Sequence, residues 1–150
     1  MPNHPVHALT STPAGAGYSF YKSNNKNSLA RFVESAEGAI GGCIGGILPD
    51  WIDPSLHPGH RSLAHGLGSV ATGAAFWYRR LDDWQNQLRQ IADQQACCRA
   101  ESTDFATTAW HAFAEWALRL LSGFLAGIGA GYITHVALDF GTPRCLPLVC

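Results

Sequence analysis

Charge is what this chain has least of. Asp, Glu, Lys and Arg make up 14% of its 150 residues, against about 25% in a typical soluble protein. The formal net charge is −1, so there is no basic footprint for nucleic acid. Valine and isoleucine are scarce, while glycine is abundant at 16 residues. That balance argues against sheet and for closely packed helices. The five cysteines, Cys43, Cys97, Cys98, Cys145 and Cys150, are odd in number and form no Cys-x-x-Cys pair. No basic segment leads into an apolar core after Met1, so no signal peptide is expected. These features favour reduced thiols in a cytosol-facing protein. No nucleophile elbow, P-loop, dinucleotide fingerprint or His-Glu-x-x-His motif is present.

What the chain does have is helical pattern. Its length suits one domain over residues 1–150. Residues 5–21 read as a short first helix, weakened by Pro13, Gly15 and Gly17. Residues 22–27 form a polar turn, and Ser28 is the expected N-cap of a helix to about Leu48, where Pro49 stops it. A proline- and glycine-bearing loop spans 49–61. Ser62 is the expected cap of a helix from Leu63 to about Arg80, and a polar, Gln-rich helix follows from Asp82 to about Cys98. Ser102-Thr103-Asp104 caps a last helix, Phe105 to Phe140, with a break expected near Gly123–Gly131. Gly141-Thr142-Pro143 ends it. The expectation is an all-α, compact bundle of four to five helices.

Gly38, Gly42 and Gly46 recur every four residues, as do Gly123, Gly127 and Gly131. Each set makes a smooth strip on one helix face, which allows close backbone approach. The two helices are expected to pack on each other, bringing Asp50 toward one end of the last helix. Glycine-rich faces also suit a homo-oligomer. From Leu120 to Leu138 there is no Lys, Arg, Asp or Glu, near the rough threshold of about 20 residues for a membrane span. Segments 38–48 and 63–78 are shorter or more interrupted. A membrane-associated bundle is favoured over a soluble one with a single deeply buried helix. Trp77, Tyr78, Trp84, Trp110 and Trp116 suit either an interfacial belt or a core.

Histidines and aspartates cluster at the ends of these apolar helices. His135 and Asp139, four apart on one helix, share a face and offer two ligands to one metal. Alone, the pair reads more readily as an aspartate orienting a histidine. Asp50 and Asp53 lie in the proline-bounded loop, and His60 in that loop precedes His65 in the next helix. Arg61 suits an anionic substrate or a structural ion pair. His57 has a loop position that suits solvent as well as a metal. His111, among Trp110, Phe113 and Trp116, reads as a packing residue.

With these residues in place, the chain resembles the LexA-regulated, membrane-bound, metal-dependent hydrolases. That family has an early histidine, a Leu-Pro-Asp loop with a second acid, His-Arg-Gly-x-Thr-His, and Gly-Tyr-x-x-His-x-x-x-Asp followed by Thr-Pro. The counterparts here are His7, Leu48-Pro49-Asp50, His60-Arg61-Ser62-Leu63-Ala64-His65, and Gly131-Tyr132 through His135 to Asp139, then Thr142-Pro143. His4 competes with His7, which is preferred because Ala8-Leu9 begins the apolar pattern. The match runs in order over most of the chain and leaves about 80–115 unmatched. Asp53 departs from the family's Asp-x-Asp spacing, and Ser62 and Ala64 replace Gly and Thr. The motif order is also similar to that of zinc phospholipase C.

The resemblance implies a metal-dependent hydrolase acting on a phosphodiester or lipid phosphoester. Its metal ligands would be His7, Asp50, His60, His65, His135 and Asp139, holding one to three ions, with zinc first and manganese second. Asp53 would be a general base or bridging ligand, and Arg61 would stabilise the anionic transition state. The expected setting is the cytosolic face of a bacterial inner membrane, with lipids as neighbours. The competing expectation is a non-catalytic membrane-associated interaction protein with a structural metal site.

Overall fold

A computed structural model describes residues 4–23, 27–52 and 67–140. They form four helices: α1 (His4–Lys22), α2 (Ser28–Ile52), α3 (Leu67–Glu101) and α4 (Phe105–Phe140). No strand occurs among the described residues, so the fold is the expected all-α bundle. Helices α1, α2 and α4 pack pairwise on one another. Helix α3 packs along α4 and reaches α1 and α2 through side chains, Tyr78 to Tyr18 at 2.6 Å and Arg89 to Glu34 at 3.1 Å.

Four expectations about helix boundaries need correction. The cap of α2 is Asn27, whose side-chain oxygen accepts a hydrogen bond from the Leu29 N–H at 3.0 Å, and not Ser28. Pro49 does not stop α2, which runs to Ile52. Proline costs the helix its bond to residue 45, but it lies in the last turn, where only three residues follow, and its ring is fully buried. The two helices expected over 63–98 are one, since α3 continues through Arg79-Arg80-Leu81. Polarity changes there, but no residue breaks the backbone. Helix α4 likewise runs unbroken through Gly123–Gly131. Its cap, Asp104, accepts a hydrogen bond from the Thr107 N–H at 3.1 Å. Hydrogen bonds from the Thr107 hydroxyl and then its N–H hold the Asp104 carboxyl below the usual carboxylate range.

The glycines explain why α4 stays intact. A Cβ added at Gly127 would overlap the Gly38 carbonyl, one at Gly131 the Gly42 carbonyl, and one at Gly123 the Glu34 carbonyl. Helices α2 and α4 therefore meet backbone to backbone, as their spacing predicts. The Gly38–Gly42–Gly46 strip itself presses on α1, where Cβ atoms would meet Ser19, Ser11 and Gly15. A second pair, Gly41 and Gly45, meets α4 at Phe124 and Ile128. The strips are thus occupied within one chain.

Serine hydroxyls bond across the same seams. Ser19 Oγ donates to the Glu34 carbonyl at 2.7 Å, and Ser35 Oγ to the Ala16 carbonyl at 3.0 Å. The polarity of the bundle is inverted. Small and polar residues face inward, while Leu9, Phe32, Ile40, Ile44, Leu121 and Ile133 face outward. Among the described residues, one helix, Phe105–Asp139, is long and apolar enough to cross a membrane.

Candidate metal centre

Three helix ends converge on the site. Near the start of α1, His7 is buried, as are His135 and Asp139 near the end of α4. Near the end of α2, Asp50 keeps 26% of its side chain exposed. His135 has one ring nitrogen committed: Nδ1 lies 2.6 Å from the Gly46 carbonyl, to which only a protonated Nδ1 can donate. In the neutral ring this fixes the tautomer and leaves a lone pair on Nε2.

That Nε2 faces two carboxylates, Asp139 Oδ2 at 3.5 Å and Asp50 Oδ1 at 3.6 Å. The other oxygen of Asp139, Oδ1, lies 3.5 Å from His7 Nε2. These separations exceed the roughly 2.7–3.2 Å of an N–H···O hydrogen bond. They are close to the spacing of neighbouring ligands around a tetrahedral ion with bonds of about 2.0–2.1 Å, which is roughly 3.3–3.4 Å. One ligand atom from each of His7, His135 and Asp139 lies within 4.8 Å of the others. The two imidazoles stack with centroids 3.9 Å apart. This buried nitrogen and oxygen donor set can hold a metal ion, and mixed N/O ligation suits zinc.

The structure brings together four of the residues singled out from the sequence: His7, Asp50, His135 and Asp139. Asp53, His57, His60, Arg61 and His65 lie outside the described residues. His111 is set apart, with Nδ1 2.6 Å from Gln95 Oε1. Cys97 and Cys98 are exposed and free, far along α3.

A second buried polar cluster was not foreseen. Glu34 of α2 is fully buried and receives Arg89 Nε of α3 at 3.1 Å. Arg119 of α4 donates from Nε to Glu115 Oε1 at 3.2 Å and from Nη2 to Asp93 Oδ1 at 2.8 Å, with Nη1 3.9 Å from Glu34. Arg99 Nη1 closes the network on Glu115 at 2.9 Å.

Its signal was a continuation of the glycine spacing. Glu34 and Asp50 bracket Gly38, Gly42 and Gly46 in one unbroken i+4 series. Glu115, Arg119, Gly123, Gly127, Gly131, His135 and Asp139 form a second, and His7, Ser11, Gly15, Ser19 and Ser23 a third. Every member is buried except Asp50, which is half-buried. Each smooth strip therefore carries polar groups at both ends, about 24 Å apart between residues 119 and 135 at 1.5 Å per residue.

No family model, no curated protein and no solved structure matches this chain.

Proposed function

We propose that this protein is a membrane-associated, metal-dependent hydrolase of the phosphoester class. The observation that carries the proposal is the convergence of His7, His135 and Asp139, with donor atoms within 4.8 Å, at the ends of two glycine-packed helices. Their order along the chain, with Leu48-Pro49-Asp50 between them, supports the same reading through the motif resemblance. His7, Asp50, His135 and Asp139 would hold the ion, zinc before manganese, with His60 and His65 as further ligands. A bound divalent ion supplies a water acidic enough to act near neutral pH and polarises a phosphoryl oxygen.

The chain's own groups do the positioning. Gly46 holds the His135 ring through Nδ1, and Asp139 presents one oxygen to each imidazole. Asp50, 26% exposed, is the ligand nearest to solvent. Asp53 and Arg61 remain assigned to proton transfer and to the phosphoryl charge. The membrane setting is supported by the length of the apolar helix and by the outward-facing apolar side chains.

Burial of His7, His135 and Asp139 also favours a second reading, a closed structural metal site in a non-catalytic membrane protein. One experiment separates the two. Protein purified in detergent is analysed for zinc and manganese, then assayed on a generic phosphodiester and on phospholipid. Stoichiometric metal with turnover that disappears in His65→Ala/Asp139→Ala supports the hydrolase. Metal without turnover above that variant leaves the structural site, and no metal after reconstitution refutes both.

A further inference from the structure

Lysine and arginine are few here, and they are unevenly placed. Of ten in the sequence, eight (Lys22, Lys26, Arg31, Arg79, Arg80, Arg89, Arg99 and Arg119) fall in the α1–α2 connection and its flanks, the second part of α3, or the first half of α4. Only Arg61 and Arg144 fall in the segments that follow the site ends of α2 and α4. Among the described residues, then, no Lys or Arg lies at the metal-centre ends of α1, α2 and α4.

The helices supply the second half of the argument. Residues 1–21, 38–49, 62–78 and 120–138 contain no Lys, Arg, Asp or Glu. Three of these four uncharged stretches are bounded on the same side by a cation: Lys22, Arg79 and Arg119. Outward-facing Leu9, Ile40, Ile44, Leu121 and Ile133 lie on the uncharged stretches of α1, α2 and α4, while their inward faces are glycine, serine and histidine. A soluble bundle would bury those large side chains, whereas in lipid every backbone group is satisfied within helices and the outer face is apolar. Arg79 and Arg80 are exposed where α3 turns from apolar to polar, a position from which long stems reach back to headgroups.

We propose that the bundle lies across a bilayer with acidic lipid headgroups at its basic end. The α1–α2 connection and the α3–α4 hairpin face the cytosol, and the His7–Asp50–His135–Asp139 end faces the opposite side. The physical basis is the retention of short, Lys/Arg-bearing connections on the cytosolic side and their attraction to anionic lipid there. This orientation rests on the membrane reading above; it keeps the thiols of α3 cytosol-facing and moves the metal centre away from the cytosolic face expected from the sequence. The exposed thiols of Cys97 and Cys98 meet the reducing cytosol, while the metal centre draws its substrate from the far side or the outer leaflet.

Native Cys97 and Cys98 are reporters for one end, and Trp51, exposed beside Asp50, is the place for a reporter at the other. Two variants are needed. One keeps only Cys97 and Cys98, and the other lacks all native cysteines and carries Trp51→Cys. Each is first washed with alkaline carbonate. Release into the supernatant means the membrane reading has failed. If the protein stays in the membrane, intact spheroplasts are treated with a membrane-impermeant maleimide. The expected result is labelling of the Trp51→Cys variant in intact spheroplasts and complete loss of Cys97/Cys98 labelling until lysis. The reverse pattern, or equal labelling of both in intact spheroplasts, overturns the orientation while leaving the membrane and metal readings standing.

Discussion

The two ends of the glycine strips hold buried polar groups of different kinds. At one end the buried Glu34, Glu115, Arg89 and Arg119 are joined at the rim by partly buried Arg99 and exposed Asp93, most of them paired at 2.8–3.2 Å. At the other, imidazole nitrogens and carboxylate oxygens face one another at 3.5–3.6 Å. The first cluster pairs opposite charges, although Glu34 Oε1 and Arg89 Nη1 and Nη2 are buried without a hydrogen bond. The second brings together atoms that all donate lone pairs, at the spacing of a coordination shell. A buried charge is costly unless paired or metal-bound: the first end is paired, and the second has a donor set that can hold an ion.

That comparison can be broken in four ways. The largest effect is expected from Arg119→Met, which removes the cation joining Glu115, Asp93 and Glu34 and leaves Glu34 only Arg89 and Glu115 only Arg99. Loss of one partner from a buried pair costs about 3–5 kcal/mol. Thermal unfolding of metal-free protein in detergent should show it, and a wild-type melting temperature would mean the network is idle.

Gly127→Val comes next, since it acts on the seam between the two ends. Its side chain would run into the Gly38 carbonyl, and overpacking costs about 1–3 kcal/mol or more. Both the melting temperature and zinc affinity should fall, because the strips hold both clusters in register. A variant that loses neither would show that α2 and α4 do not approach closely.

His135→Ala tests the metal end alone. Zinc affinity, measured by equilibrium dialysis, should drop at least about tenfold, the lower bound for disturbing such a shell. Saturating zinc at about 100 times its Kd should stabilise wild type by about 2.7 kcal/mol, and this rise should vanish in the variant. If Arg119→Met abolishes the zinc-dependent rise while His135→Ala keeps it, the assignments of the two ends are reversed.

The smallest effect belongs to Asp104. Its folded-state pKa is lowered, so its contribution is present above the ordinary carboxylate range and is lost as pH falls through the lowered value. Asp104→Ala should therefore melt slightly below wild type at pH 7, with the gap closing toward pH 3. A gap that widens on acidification contradicts the cap.

Much of the fold was legible because glycine at a fixed period has few other uses in a helix. Gly123, Gly127 and Gly131 pointed to close packing before any coordinate, and the structure places them against the α2 backbone. His135 and Asp139 were legible as a pair because four residues return a helix to nearly the same face. Glu34 and Arg119 were not, although they continue the same series. Read singly, a glutamate or arginine in a helix looks solvated, and only the neighbouring helices show that both are enclosed. Pro49 misled for a related reason: local propensity predicts a stop, but a buried ring in a packed last turn outweighs it.

The sequence by itself determined the helical class, the small faces and the four-residue rhythm of each strip, because these follow from side-chain size and helical geometry. The tertiary structure decided which strips meet, that His7 stacks on His135, and that Glu34 of α2 finds Arg89 of α3, 55 residues away. Those outcomes depend on the relative placement of helices. Many side-chain pairings are compatible with one periodicity, and close backbone packing selects among them.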